Sequence, residues 1–447
     1  MNDPVDSGGL RRSLGLRDLV VYGLLFIAPM APVGVFGVLD AKSHGAVAAV
    51  YLVATVAMGF TALSYAQMVR AVPRTGSVFA YARAGLGERA GFIAGWMAML
   101  DYLLIPAVAY LFSGIALHAL VPGVSRFVWT VLAVLVTTAL NLAGVRTAAA
   151  VGFAVLALEL VVLAVFVVAA LVVLLRDGTV RPALSPLTGV GGFSTSAVLG
   201  AVSVAVLSYL GFDAIASFVE EAVGASRAVA RAVLLCLALA GALFVAQTYL
   251  AALLEPLTPE QLAEQPAAQG SAFYDTVESA VGHWLHTLVA VSKAIGAAFA
   301  ALAGQAAAGR LLFAMGRAGR LPRALAAVDR DSGVPRVALL SAAVLTLAAA
   351  GWAARRSDGL DQLTSVVDIG ALCAFALLHA SVIGWYTVKH GSRHRMRHLV
   401  LPLLGIAVIV AVVVKAAHTA QLVGLVWLAA GLLVVLLQRD GAVGEPR

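Results

Sequence analysis

The sequence predicts an all-α membrane protein in which twelve apolar helices cross the bilayer. Of its 447 residues, 62% are hydrophobic and only 12% are charged, with a mean hydropathy of +0.97. Apolar stretches of about 18 or more residues, enough for a helix to cross the hydrocarbon core, recur along the whole chain. The formal charge of +7 lies mainly in short loops between these stretches, which is typical of a topology signal and not of a nucleic-acid-binding surface.

The predicted spans follow one another with short connections. With both termini placed inside, about 22 of the 30 Lys and Arg residues lie on the cytoplasmic side, so we expect a plasma-membrane protein with cytoplasmic termini. The run after Arg17 is too long for the apolar core of a signal peptide and is the first span. The approximate limits of the spans are 18–39, 46–69, 92–121, 127–145, 149–175, 197–219, 228–254, 281–309, 336–354, 362–387, 399–416 and 419–437.

Two of these spans contain residues that interrupt helices. Span 1 has two prolines and two glycines between Ala28 and Gly37, which remove hydrogen-bond donors and loosen the backbone. Span 6 has Gly211 two residues before Asp213, and free backbone groups persist at membrane depth only where they line a cavity or pack against protein. The two spans are five apart, as expected if spans 1–5 and 6–10 are repeats of opposite topology. A matched pair of broken helices predicts a transport site at the midplane.

Four charged side chains lie deep in apolar spans: Asp101 in span 3, Glu159 in span 5, Asp213 in span 6 and Lys293 in span 8. A charge at that depth is costly unless it is partnered or faces water. Either these groups pair, or some carboxylates are neutral without a ligand, or a cationic substrate supplies the missing charge. An ion pair of Lys293 with Asp101 or Glu159 is the simplest structural alternative, and it leaves two acids unexplained.

The surroundings of these groups suggest different roles. Glu159 is the candidate for proton coupling, together with Lys293, because a buried carboxyl group among aliphatic neighbours can load and release a proton near neutral pH. Asp213 and Asp101 are better placed to pair with a substrate ammonium group. The aromatic candidates for cation–π contact with that ammonium, with ordinary packing as the alternative, are Tyr102, Tyr209 and Phe212.

Other polar residues lie near the ends of spans or within them. Glu220 and Glu221 close span 6 near the cytoplasmic face, where they either pair with nearby arginines or form a gate. Asp368, a short way into span 10 from the outside, is a candidate for an outer gate. His379 and Gln305 are expected to be satisfied interhelical hydrogen-bonding groups and not ligands.

Several motifs are absent from the sequence. It has no G-x-x-x-x-G-K-[ST] loop, no H-E-x-x-H motif, no T-V-G-Y-G filter and no cluster of metal ligands, which argues against an ATP-driven pump, a potassium channel and an enzyme. We therefore expect no cofactor and no metal ion. The partners we expect are a small-molecule substrate, protons and the lipid bilayer.

Five stretches together resemble the amino acid–polyamine–organocation (APC) superfamily of permeases, over nearly the full chain, and especially its putrescine-importer-like and amino acid permeases. The matching stretches are Ala28–Gly37, Ser64 to Ser77 with Tyr81, Gly95-Trp96 to Asp101-Tyr102, Leu210-Gly211-Phe212-Asp213 to Glu220-Glu221, and Gly309 to Arg317.

This resemblance implies the twelve-helix architecture of the leucine transporter, with five-plus-five inverted repeats. The chain then divides into a cytoplasmic tail (1–17), a first repeat (18–176), an extracellular loop (177–196), a second repeat (197–388), two further helices (389–437) and a second tail (438–447). The resemblance also implies a proton-coupled symporter or exchanger. Glu159 falls where several relatives carry a helix 5 lysine that replaces a sodium ion, so its role is inferred from position alone.

Two departures from the family leave the substrate open. Many amino acid permeases have a Gly-Ser-Gly-like turn in helix 1 that binds the substrate carboxylate, and here the turn is Pro32-Val33-Gly34-Val35. Putrescine-importer-like members have an acidic residue near the position of Gly34, and this chain has none. A passive channel or a transport-inactive sensor is a further alternative, since a fold alone does not decide between these functions.

We expect a proton-coupled importer of an amino acid or related organic amine, working by rocking of spans 1, 2, 6 and 7 against the remainder. The alternative is a polyamine importer or exchanger in which Asp213 and Asp101 hold two ammonium groups. The predicted substrate-binding residues are Ala28, Pro29, Met30, Ala31, Gly34, Asp101, Tyr102, Tyr209, Gly211, Phe212 and Asp213.

Overall fold

The computed structural model describes residues 14–73, 77–142, 148–220, 222–317, 322–328 and 335–437, and these form helices joined by short connections. Ten helices in these ranges are long and apolar enough to cross a membrane, and two shorter apolar helices cover 126–142 and 195–209. In the described ranges β pairing is limited to one bridge between Leu14 and Ala222. The predicted all-helical, multi-span class is therefore confirmed.

Seventeen α-helices, numbered in chain order, make up most of these ranges. They are α1 (Leu16–Ile27), α2 (Phe36–Lys42), α3 (Val47–Ala71), α4 (Ser77–Leu86), α5 (Glu88–Leu120), α6 (Arg126–Leu142), α7 (Ala148–Asp177), α8 (Ser185–Thr188), α9 (Thr195–Ala205), α10 (Ala225–Leu254), α11 (Pro259–Glu264), α12 (Ala272–Ala280), α13 (His283–Arg317), α14 (Arg336–Ala354), α15 (Gly359–Val382), α16 (Leu401–Lys415) and α17 (His418–Leu437).

The interruption predicted in the first span is present. Helix α1 ends at Ile27, and Ala28 has a φ of 59°, a left-handed conformation that is uncommon for a residue other than glycine. A short 3₁₀ segment, Ala31–Gly34, follows before α2 begins. Because Pro29 and Pro32 have no N–H, they cannot continue the α-helical hydrogen-bond ladder across this segment.

The second predicted interruption is also present. Helix α9 continues as a 3₁₀ turn, Val206–Tyr209, and a second 3₁₀ segment, Phe212–Glu220, begins after Gly211. Gly211 has a φ of 111°, and a Cβ atom there would lie 2.9 Å from the backbone oxygen of Phe26 in α1. Only glycine allows this conformation and this approach without strain. The two broken helices therefore meet at their breaks.

Helix α5 holds a central position in the bundle. It packs against α13, α15, α6 and α4, while α10 packs along α3 and against α1. Most of the buried apolar side chains of these helices form one core, and a second, small cluster lies where α13 packs against α14. At one end of the bundle, Lys42 of α2 forms an ion pair of 3.0 Å with Asp361 of α15, which ties the second half of the broken first span to α15.

Sequence patterning missed four short helices. Three of them, α8, α11 and α12, lie in the connections after the fifth and seventh predicted spans. The fourth, α4, lies in the stretch between the second and third predicted spans. It packs against α5, α15 and the π-helical turn Ile383–Lys389 that follows α15. Gly85 and Gly384 allow this contact, because a Cβ atom at either position would come within 2.5 Å of the facing backbone. With only ten residues, α4 is too short to be recognised as a span.

Candidate functional site

The break in the first span is held by polar side chains from three other helices. Gln247 of α10 donates to the carbonyl oxygen of Pro29 at 2.9 Å, and Lys293 of α13 donates to the carbonyl oxygen of Met30 at 3.1 Å. The carboxylate of Glu159 in α7 lies close to the backbone N–H of Met30. Backbone groups left free by the break are thus satisfied by side chains, as burial at membrane depth requires.

Glu159 and Lys293, the residues predicted for proton coupling, therefore meet at Met30. Both are almost fully buried, and the Lys293 Nζ lies 5.0 Å from the centre of the Phe112 ring. Gly296 leaves room for the carboxylate, since a Cβ atom there would lie 2.1 Å from the Glu159 Oε1, an atom without a hydrogen-bond partner. Among the described residues Lys293 forms no ion pair within 4.0 Å, but its charge and that of Glu159 lie close enough to attract each other, so a structural pairing of these two residues stays open, while none is seen with Asp101.

Asp213 lies immediately after the break in the second interrupted span. Its carboxylate contacts the backbone of Gly211 and Ala214 and accepts a 3.5 Å hydrogen bond from the Tyr65 hydroxyl of α3. The side chain is half-buried. The loop geometry set by Gly211 therefore positions this carboxylate at the end of a short helix, facing α3 and α5.

Two further carboxylates lie close to Asp213. Asp101 of α5 is near enough to Asp213, and Asp368 of α15 near enough to Asp101, for their charges to repel if they were ionised. Asp368 is 1% exposed and neither of its carboxylate oxygens has a hydrogen-bond partner; Asp101 Oδ1 also has none. Among the described residues, no Lys or Arg forms an ion pair with any of the three.

Close packing of α5 on α15 brings Asp101 and Asp368 together. A Cβ atom at Gly370 would lie 2.8 Å from the Met97 oxygen and 3.4 Å from the Asp101 nitrogen, so the glycine lets the two backbones approach. The sequence placed Asp368 near the outer end of its span. The structure places it beside Asp101 in the bundle interior, and an outer-gate role stays a prediction.

Aromatic rings surround the Asp213 carboxylate. The Tyr65 ring packs edge-on against Phe212, Phe375 and Tyr81, with centroids 5.8 to 6.0 Å apart. Tyr102 is 37% exposed and lies within electrostatic range of Asp213 and Asp101. A cationic group beside these carboxylates would therefore also meet aromatic faces.

Tyr209, a predicted substrate-binding residue, lies in a different environment. It is fully buried, its hydroxyl lies 2.7 Å from the Thr55 hydroxyl, and its ring packs against Tyr51 and Phe244. These contacts join the second broken span to α3 and α10. They fit ordinary packing, the alternative that the sequence left open, and a substrate-binding role for Tyr209 stays a prediction.

The remaining predicted residues divide into those that the structure describes and those that it does not. His379 is confirmed as a satisfied interhelical group, with ring nitrogens 2.8 Å from Ser64 and 3.3 Å from Thr61. Gln305 is confirmed likewise, bonding to Asn141 at 2.9 Å and Thr138 at 2.8 Å. Glu221 lies outside the described residues. Glu220 ends the 3₁₀ segment Phe212–Glu220, and its gate role stays a prediction.

Sequence reasoning missed several residues that contact the breaks or the carboxylates. Gln247, Phe112, Tyr65 and Phe375 are uncharged residues in long apolar helices, so hydropathy gives no signal for them. Tyr65 and Tyr81 fell within the stretches that resemble known permeases, which was the one available signal.

Comparisons with known proteins agree with this architecture. A family model described as amino acid permease matches residues 19–434. The chain is 28% identical over 443 residues to the low-affinity putrescine importer PlaP of Escherichia coli (strain K12), covering 95% of this chain and 93% of that protein. It is 26% identical over 400 residues to the branched-chain amino acid permease BcaP of Bacillus subtilis (strain 168), covering 84% and 81%.

Proposed function

The chain belongs to the amino acid permease family, and we propose that it is a secondary active transporter that imports a diamine or polyamine across the plasma membrane. The proposal includes twelve spans arranged as two inverted repeats of five with two further helices, and cytoplasmic termini. The substrate would bind between the two breaks, in contact with Asp213, Asp101 and Tyr102. One observation carries the proposal: Asp213, Asp101 and Asp368 gather near the second break, and no described Lys or Arg forms an ion pair with any of them.

The cost of buried charge supports a cationic substrate. An ionised carboxylate at the bilayer centre costs about 2.5–3.5 kcal/mol on insertion scales, so Asp213, Asp101 and Asp368 are not all charged in an empty site. Asp368, buried and without a partner, is held protonated in this proposal. Asp213 and Asp101 are half-buried and become charged against the ammonium groups of the substrate.

The first break supports an amine without a carboxylate. Pro29 and Pro32 have no N–H, and the N–H groups of Ala31 and Val33 bond to nearby carbonyl oxygens at 2.9 and 3.2 Å. The Met30 N–H faces the carboxylate of Glu159, which would repel a substrate carboxylate. At Gly34, the Phe112 ring lies where a Cβ atom would be, with 2.6 Å to its nearest carbons. This leaves little room for a substrate carboxylate, which an amino acid would bring.

The relatives support the same choice in part. PlaP, named a putrescine importer, matches more of this chain than BcaP, named a branched-chain amino acid permease. Both proteins are named as transporters of nitrogen compounds, so the relatives support a transporter of that class of compound. The unpaired carboxylates of the site favour the diamine. Import of an amino acid is the second candidate because BcaP matches most of the chain as well.

Proton coupling is assigned to Glu159. Its carboxylate lies close to the Met30 N–H and, when ionised, can accept a charge-assisted hydrogen bond from it; such bonds are about twice as strong as neutral ones. Protonation of Glu159 would weaken this bond, leaving Lys293 and Gln247 as the side chains on the break. The first span would then be freer to move, and rocking of spans 1, 2, 6 and 7 would expose the site to the other side.

A thermal-shift screen of the purified protein tests the proposed substrate. The ligands are putrescine, spermidine, the neutral amino acids and their decarboxylated amines. A ligand present at a hundred times its dissociation constant stabilises the folded form by about 2.7 kcal/mol, which is a readable shift. We expect stabilisation by putrescine or spermidine. Stabilisation by neutral amino acids alone would replace the diamine with the second candidate.

A further inference from the structure

A membrane-facing groove between α6 and α14 lies away from the transport site. Its volume is about 570 Å³, and its walls are the apolar side chains of Phe127 and Val131 on one helix and Leu347 and Trp352 on the other. Gly351 forms part of the floor, since it has no side chain and a Cβ atom there would only touch Phe127 at 3.4 Å. The neighbouring side chains Leu132 and Leu345 are exposed, as expected for a surface that faces acyl chains.

Arginines stand at one end of this groove. The Arg355 guanidinium lies 4.0 Å over the Phe127 ring, and the Arg356 guanidinium lies 5.4 Å from the Trp352 ring. Arg126 fixes this corner, because its Nε donates to the carbonyl oxygen of Ala354 at 2.8 Å and its Nη2 to that of Arg356. The arginines are therefore held in place by the backbone and the rings.

At this end of the groove the arginines carry more positive charge than the neighbouring acidic residues neutralise. Arg356 pairs with Asp358 at 2.9 Å, while Arg355 has no acidic partner among the described residues. Helix α14 is an apolar span that ends at Ala354, which puts Arg355 and Arg356 at the depth of the lipid headgroups. The groove runs from there along the acyl region. From Leu347 to Arg355 it is about 12 Å long, at 1.5 Å per helical residue. In the proposed orientation this end of the groove faces the outside of the cell. The excess of basic residues that sets membrane topology lies on the cytoplasmic side, so it does not account for these arginines.

From this geometry we infer that the groove is a binding site for an anionic phospholipid. The phosphate would lie against Arg355, with its headgroup beside Trp352, and one acyl chain would occupy the groove. Arginine donors match phosphate oxygens, and an aromatic ring at the interface suits the headgroup region. The inference does not depend on the identity of the transported substrate.

The test is native mass spectrometry of the full chain in detergent, titrated with phosphatidylglycerol and, separately, with phosphatidylcholine of the same acyl chains. We expect tighter retention of phosphatidylglycerol. Arg355→Gln should weaken that retention about fivefold and weaken retention of phosphatidylcholine less, because the choline ammonium offsets the charge of its phosphate. The matched control is Lys415→Gln, which removes an exposed basic residue at the end of α16, at a distance in sequence and structure from the groove.

A second variant tests the acyl-chain part of the site. Gly351→Leu fills the groove without changing the charge, and we expect it to reduce the binding of both lipids while thermal unfolding shows a folded protein. Equal retention of the two lipids by the unaltered protein, or no effect of Arg355→Gln, would overturn the inference. A dimer mass that Gly351→Leu abolishes would also overturn it, because a second copy of the chain would then occupy the groove.

Discussion

Replacement of Asp213 by Asn removes the charge nearest the second break and keeps the size of the side chain. Because no described Lys or Arg forms an ion pair with this carboxylate, the change leaves no unpaired protein cation behind. We therefore expect the free energy of unfolding without ligand to be unchanged or higher. The change should lower the affinity for the substrate, because the substrate ammonium loses the negative charge that pairs with it.

The size of that effect follows from the burial of the site. Removing one partner of a buried, hydrogen-bonded charge pair costs about 2–5 kcal/mol. Asp213 is half-buried, so the lower part of that range applies, and about 2–3 kcal/mol corresponds to a loss of affinity of about 30- to 150-fold. Isothermal titration with putrescine on the two proteins, in the same detergent and at the same salt concentration, measures this difference.

The matched control is Asp358→Asn, an exposed carboxylate paired with Arg356 outside the proposed site. We expect it to bind putrescine as the unaltered protein does. If Asp213→Asn bound within threefold of the unaltered protein, Asp213 would not contact the substrate ammonium. Loss of binding in both variants would mean that acidic residues act on putrescine through the electrostatic potential of the whole protein surface and not through direct contact.

Three further predictions concern coupling, charge state and backbone. Glu159→Gln should abolish accumulation driven by a proton gradient and keep exchange of labelled for unlabelled substrate; accumulation at the unaltered rate would refute the coupling role. Asp368→Asn should leave the melting temperature at pH 7 unchanged or raised, because the proposal holds Asp368 neutral in the folded protein; a fall of several degrees would show that it is ionised and paired. Gly211→Ala should lower the free energy of unfolding by about 1–3 kcal/mol, because alanine is strained at a φ of 111° and its Cβ would meet the Phe26 oxygen at 2.9 Å. Unchanged thermal unfolding of Gly211→Ala would mean that the break can rearrange.

The positions of the breaks were predictable because their cause is local. Prolines lack an N–H wherever they occur, and Gly211 permits its backbone conformation independently of distant residues. Long apolar runs likewise predict membrane helices without knowledge of their neighbours. These features depend on short stretches of sequence, which a single chain displays in full.

The partners of the charged residues were not predictable for the opposite reason. Glu159 and Lys293 are 134 residues apart in the sequence, and both reach Met30 only after the helices pack. Periodicity does not tell which face of an all-apolar helix meets which neighbour, so the contact of Gln247 with the first break and the position of Asp368 beside Asp101 were not predicted. Tyr209 shows the same limit, since its sequence neighbours suggested a ligand contact and its packing is against α3.

Uptake into proteoliposomes measures proton-driven diamine import by the purified protein. The purified protein is reconstituted, an inward proton gradient is imposed, and labelled putrescine is followed with and without excess spermidine or leucine. We expect putrescine to accumulate above equilibrium. Spermidine should block this accumulation, leucine should not, and dissipating the proton gradient should abolish it. Uptake that stops at equilibrium, or that leucine blocks and spermidine does not, would contradict this expectation.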